Sequence, residues 1–137
     1  MNCAFAQQPI DTEQAFSILI VDDEEYVRQL LVSCLGSTYS CLAADNAEQA
    51  IEHLGNQQFD LVVTDITMPG ISGLELCKML RESHPGTPVL IISGLQGEVY
   101  RDQALKHGAR GFIEKPFDLG NLMTLVDHTL HQVDDAA

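Results

Sequence analysis

The chain has 137 residues, 45% of them hydrophobic, which is enough to fill one core and too few for a second folded domain. Twenty acidic against seven basic residues give a formal charge of −13, a field that repels nucleic acid phosphates and anionic lipid surfaces. Direct nucleic acid or membrane binding is therefore excluded as the expected role.

The opening MNCAFAQQPI has neither the basic start nor the apolar run of a signal peptide, and no later stretch reaches membrane-spanning length. A soluble, cytoplasmic protein is expected. Residues 1–16, mixed in character and containing Pro9, are expected to form a loosely ordered leader. The folded domain is then 17–133, with 134–137 as a tail or the start of a linker. Cys3, Cys34, Cys41 and Cys77 lie at no metal-ligand spacing and read as buried thiols, with a Cys34–Cys41 disulfide as the alternative.

In chain order, short aliphatic runs recur at 18–21 (ILIV), 41–44 (CLAA), 61–63 (LVV), 89–92 (VLII) and 111–113 (GFI). They predict five strands, several of them apolar throughout, as strands covered on both faces require. Between them fall helical patterns. The first places Val27, Leu30, Leu31 and Cys34 on one face, and the second Ala47, Ala50, Ile51 and Leu54 behind the start signal Asn46 with Gln49. The third opens on Ser72 with Glu75, a capping box, and presents Leu74, Cys77 and Leu80. The fourth, roughly 98–107, has a thin face of Tyr100, Ala104 and Leu105 with Gly108 to end it. The fifth opens on Asp118 and carries Leu119, Leu122, Met123, Val126 and Leu130.

Strand and helix thus alternate five times, a (βα)5 pattern that predicts an α/β fold on a parallel sheet with right-handed crossovers. In such sheets ligands bind outside the carboxyl ends of the strands. The residues just past the strands are Asp22 and Asp23, then Asp65, Ser93 and Lys115, so all five are expected at one edge. Three carboxylates gathered there repel one another unless a proton or a cation intervenes. A divalent oxygen-seeking ion, Mg2+ or Mn2+, suits the set and leaves room for phosphate oxygens. With Lys115 to meet a phosphoryl oxygen and Ser93 to hydrogen-bond it, the pattern points to an aspartyl phosphate on Asp65.

Four segments carry a family resemblance: VDDE at 21–24, VVTDITMPG at 62–70, IISG at 91–94 and GFIEKPF at 111–117. Together and in this order they are highly specific. From about residue 17 to 133 the chain resembles the receiver domain of two-component response regulators. The resemblance implies a doubly wound, flavodoxin-like sheet of strand order 2-1-3-4-5. It implies Asp65 as phosphoacceptor and Asp22 and Asp23 as magnesium ligands, joined by the backbone carbonyl of Thr67. Lys115 and Ser93 match the family's lysine and switch hydroxyl, and Phe112 its rotamer-changing aromatic. A cis Lys115–Pro116 bond is implied as well. The partners implied are a sensor histidine kinase or phosphotransfer protein, with homodimerisation on phosphorylation as a further expectation. The switching surface is expected on the fourth helix, fifth strand and fifth helix.

Gly94 stands where a small residue such as alanine is usual, and the apolar Leu95 and Thr67 occupy positions that tune phosphoryl lifetime in the family. Leu95 cannot position an attacking water, which implies slow self-hydrolysis. Each site residue alone has a plain structural explanation: Asp22 and Asp23 as a helix start, Asp65 as a turn cap, Ser93 and Lys115 as loop groups. Their coincidence at one edge favours the chemical reading. A magnesium-dependent phosphatase of the haloacid dehalogenase type needs a second aspartate two residues past the first, where this chain has Thr67. An inactive receiver-like interaction domain is the other alternative, and a nucleotide-binding module lacks its glycine-rich loop. His128 and His131, three apart on the last helix, are expected on an exposed face rather than on a metal, and His53, His84 and His107 receive no role.

Overall fold

In the computed structural model, which describes residues 15–94 and 98–136, the expected alternation is complete. The elements are β1 (Ser17–Val21), α1 (Glu25–Leu35), β2 (Ser40–Ala44), α2 (Ala47–Asn56), β3 (Leu61–Asp65), α3 (Gly73–Ser83), β4 (Val89–Ser93), α4 (Glu98–Lys106), β5 (Gly111–Glu114) and α5 (Leu119–Ala136). The five strands form one sheet in the order β2-β1-β3-β4-β5, every pair parallel.

Successive strand residues face opposite sides, so each apolar strand feeds two cores. Leu19, Val21, Val62 and Ile91 pack with Ala47, Ala50 and Leu54 of α2, Leu76, Cys77 and Leu80 of α3, and Ala104 of α4. Their neighbours Ile18, Ile20, Leu61, Val63, Leu90 and Ile92 pack with Leu31 and Leu35 of α1 and with Leu122, Val126 and Leu130 of α5. β1, β3 and β4 are buried over nearly their whole length, as a sheet covered on both faces demands.

The helix starts follow their sequence signals. Asn46 Oδ1 accepts from the Gln49 N–H at 2.8 Å, and Asp118 Oδ1 from the Asn121 N–H at 3.0 Å. At α3 the Ser72 Oγ accepts from Glu75 N while Glu75 Oε1 accepts from Ser72 N, both halves of the capping box. Gly108, at φ 101°, takes the left-handed conformation just past α4, where its N–H reaches the Leu105 carbonyl.

β2 is the edge strand that the order 2-1-3-4-5 implied, with mostly exposed or half-buried residues, and Leu42 is 37% exposed because only one neighbour flanks it. Several details differ from the sequence reading. Ile51, Leu105 and Leu119 lie at the margins of their helical faces and are exposed, whereas Leu35 and Leu76, outside the expected stripes, are fully buried. Helical spacing locates a stripe but not its centre, which is set by how the helix lies on the sheet. Of the cysteines, Cys77 is buried while Cys34 and Cys41 are half-buried, and all three are free. Burial pushes the Cys77 and Cys41 thiols up to about 11, which keeps them protonated and unreactive at neutral pH. Cys3 and most of the expected leader lie outside the described residues; Phe16, at its end, packs against the core beside Tyr39. No helix among the described residues is long and apolar enough to cross a membrane.

Candidate functional site

The carboxyl edge of the sheet is assembled by backbone hydrogen bonds that reach past the strands. Asp22 N–H donates to the Ala44 carbonyl at 3.1 Å, Ile66 N–H to Ile92 at 2.9 Å, and Lys115 N–H to Ser93 at 2.6 Å. Each bond ties the segment after one strand to the end of its neighbour. Asp65 and Ser93 prove to be the last residues of β3 and β4 rather than the first beyond them. Their positions are therefore set by the ladder itself, with Asp65 in register with Ile92 and Ser93 with Glu114.

Asp22, Asp23 and Asp65 converge there. One carboxylate oxygen from each lies within 4.8 Å of the others; Asp22 and Asp65 are buried and Asp23 is exposed. An oxygen cluster of this charge and spacing is the donor set a small hard divalent cation takes. Lys115 Nζ sits among them, 3.2 Å from Asp22 Oδ2, 3.2 Å from Glu24 Oε1 and 3.6 Å from Asp65 Oδ2. Lys115 precedes a cis bond to Pro116, as the family resemblance implied.

The electrostatics follow from burial. Loss of solvent pushes the Asp65 carboxyl up to about 6, helped by the neighbouring charges of Asp22 and Asp23 and opposed by Lys115 and by the Thr67 N–H bonded to it. Asp22 is likewise raised, first by burial, with the Glu24 N–H and Lys115 pulling the other way. Burial alone would lower the Lys115 ammonium, but Asp65 and Asp22 more than offset it and raise its pKa. The side chains of the site thus carry more negative charge than one ammonium neutralises, which is the physical reason it suits a cation.

Asp23, Glu24, Asp65, Thr67, Gly94 and Lys115 line a cavity of about 360 Å³ open to solvent. A groove of about 540 Å³ between α2 and α3, lined by Ile51, Leu54, Met79 and Leu80, is apolar and lies where those helices end, away from the carboxylates. Thr67 is exposed and lines the cavity. Ser93 is fully buried at the end of β4. Phe112 is buried on β5, with the Arg101 guanidinium 5.5 Å from its ring centre. Leu95 lies outside the described residues.

Two residues escaped the sequence reading. Glu24 is the residue at the start of α1, but its side chain caps no N–H and instead meets Lys115. Gly73, first residue of α3, packs so closely that a Cβ would overlap the Asp65 carbonyl oxygen and crowd Ile66 Cα. The only sequence signals were a carboxylate next to an acidic pair and a glycine just inside a capping box. His128 and His131 are both exposed, and His131 pairs with Asp127 and packs edge-on against Phe16.

The model of the response regulator receiver domain matches residues 18–127. The chain belongs to that family. This receiver domain is 43% identical over 109 residues to the response regulator protein PilR of Pseudomonas aeruginosa, covering 79% of the chain and 24% of that protein. It is 31% identical over 121 residues to the transcriptional regulatory protein FixJ of Bradyrhizobium diazoefficiens, covering 88% of the chain and 59% of FixJ. The receiver domain protein of Methanospirillum hungatei superposes with a TM-score of 0.86 at 24% identity, over 90% of this chain and all of that one. NtrX from Brucella abortus superposes at 0.83 with 31% identity, over 88% of this receiver domain and 28% of the NtrX chain. The chain spans about a quarter of the length of PilR, and its sheet order is that of these CheY-like receivers. Receiver domains of response regulators are signalling switches that accept phosphoryl groups, are phosphorylated by histidine kinases and are linked to output domains.

Proposed function

We propose that Asp65 is the phosphoacceptor of this receiver domain and that it takes a phosphoryl group from a phosphohistidine of a sensor kinase or phosphotransfer protein. The observation that carries the reading is the buried Asp65 carboxylate standing within 4.8 Å of the Asp22 and Asp23 oxygens and beside the Lys115 ammonium. An Asp65 carboxylate oxygen attacks phosphorus as the P–N bond breaks, and the departing imidazole nitrogen keeps the electron pair and takes a proton. Asp22, Asp23, Asp65 and the Thr67 carbonyl would hold Mg2+ or Mn2+, which when bound offsets the negative charge of carboxylate and phosphoryl group. Lys115 then binds a phosphoryl oxygen, and the Ser93 hydroxyl moves to another.

Ser93 and Phe112 are assigned the switch, because they lie on the directly paired strands β4 and β5 and Phe112 packs against α4, of whose described residues only Ala104 is buried. Partner binding or homodimerisation through α4, β5 and α5 is the output assigned to that change. Thr67 in place of a second aspartate makes the domain a switch rather than a turnover phosphatase. Leu95 supports a long-lived phosphoryl group, which a lifetime of seconds would contradict.

The test is incubation with acetyl phosphate and magnesium followed by intact-mass and peptide mapping. One phosphate on Asp65, absent from Asp65→Asn, is the expected result. Continuous phosphate release over many turnovers would sink the switch reading, and no uptake by the wild type would leave an inactive receiver-like scaffold.

A further inference from the structure

Lys115 has three carboxylates within ion-pair distance, and they are not equivalent. Its Nζ donates hydrogen bonds to Asp22 Oδ2 and Glu24 Oε1, both at 3.2 Å. Asp65 Oδ2, at 3.6 Å, is beyond hydrogen-bond length. The hydrogen bonds of the ammonium thus go to the β1 side of the site, while Asp65 holds it as an ion pair without a hydrogen bond.

The Glu24 backbone is fixed at the edge of the site. Its N–H donates to the buried Asp22 Oδ1 at 2.9 Å, its carbonyl accepts from Arg28 N at 3.1 Å, and its backbone is extended at the start of α1. Arg28 in turn donates to the Asp22 carbonyl at 2.7 Å. The Glu24 side chain therefore projects from a braced backbone at the lining of the cavity, and it is 62% exposed.

We propose that Glu24 is a positioning residue that holds Lys115 in its resting orientation and competes with the phosphoryl group on Asp65 for the ammonium. This rests on the reading of Asp65 as phosphoacceptor. Lys115 has a third N–H to give, but its Nζ leans on Asp22 and Glu24, and moving it toward a phosphoryl oxygen on Asp65 stretches the bond to one of them. Asp22, 1% exposed, cannot be left unpaired cheaply, whereas Glu24 is rehydrated as soon as it is released. Glu24 is accordingly the partner that lets go, and the strength of that one exposed pair sets how readily Lys115 swings to the phosphoryl group.

The test compares wild type, Glu24→Gln, Glu24→Asp and Glu25→Gln. Glu25 lies next in sequence, accepts from Gln29 Nε2 at 3.1 Å and is solvated, so its substitution removes the same charge without touching Lys115. Two quantities are measured: the rate of phosphorylation by acetyl phosphate at saturating magnesium, and, in metal-free protein, the rate of amine labelling at Lys115 by peptide mapping. Glu24→Gln is expected to raise both by roughly two- to fivefold, the range an exposed ion pair supports. Glu24→Asp moves both back toward wild type, and Glu25→Gln leaves both unchanged. Equal acceleration by Glu24→Gln and Glu25→Gln would show a general charge effect and overturn the proposal. Wild-type protein that takes up no phosphate overturns the Asp65 reading and the competition with it, whereas uptake and labelling at equal rates in wild type and Glu24→Gln overturn the role of Glu24 alone.

Discussion

Replacing Asp65 with asparagine should make the metal-free domain more stable, and only above a defined pH. In the folded protein burial and the Asp22 charge push Asp65 from 3.8 up to about 6. The native state therefore binds this proton more tightly than the unfolded chain. Between pH 3.8 and about 6 the folded protein carries the extra proton, so stability falls as pH rises through that window. A shift of about two units at about 1.4 kcal/mol each amounts to a cost of about 3 kcal/mol once the group is ionised. Asparagine mimics the protonated form and escapes that cost. Asp65→Asn should thus exceed wild type by up to about 3 kcal/mol at pH 7.5 in EDTA, on the order of 10 °C in melting temperature for a domain this size. At pH 4 the two proteins should melt nearly together. Urea unfolding at both pH values measures it, and a gap that is absent at pH 7.5, or equally large at pH 4, refutes the burial argument.

Magnesium should stabilise wild type by about 2.7 kcal/mol at a hundred times its dissociation constant and Asp65→Asn by clearly less, read as the rise in melting temperature on titration. Lys115→Ala leaves the buried Asp22 and Asp65 facing each other without their cation, so a loss of about 3 kcal/mol is expected at pH 7.5, shrinking toward pH 4 as Asp65 takes its proton; an equal loss at both pH values would contradict the charge assignment. Gly73→Ala forces a methyl group against the Asp65 carbonyl and should cost about 1–3 kcal/mol in urea unfolding while also slowing phosphorylation, since the β3 end must shift. Ser72→Ala removes one half of the capping box and should cost about 1 kcal/mol without changing the phosphorylation rate.

The number of strands, the alternation with helices and the edge at which the acidic residues gather were all legible in the sequence. The reason is that each is a local or one-dimensional property. An aliphatic run such as 89–92 has few alternatives once both of its neighbours are helical, and a capping box such as Ser72 with Glu75 is complete within four residues. Asp22, Asp65 and Lys115 were recognisable because they sit at fixed offsets from strand ends, and a parallel sheet brings those ends together whatever the side chains between them.

What the chain alone left open depends on distances between elements far apart in sequence. The family's strand order implied that β2 is an edge, but that Leu42 is left half in solvent follows from the folded sheet and from no property of CLAA itself. Gly73 is needed only because α3 begins against the Asp65 carbonyl, a contact across a turn that residue types do not reveal. Glu24 reads in sequence as one more charge at a helix start. It becomes a partner of Lys115 because the two residues, 91 positions apart, are brought to one rim when β5 completes the sheet. Local patterns determine which elements form and which edge is charged; the packing of those elements determines which charges touch, since a Coulomb or hydrogen-bond energy depends on the ångströms that only the folded chain sets.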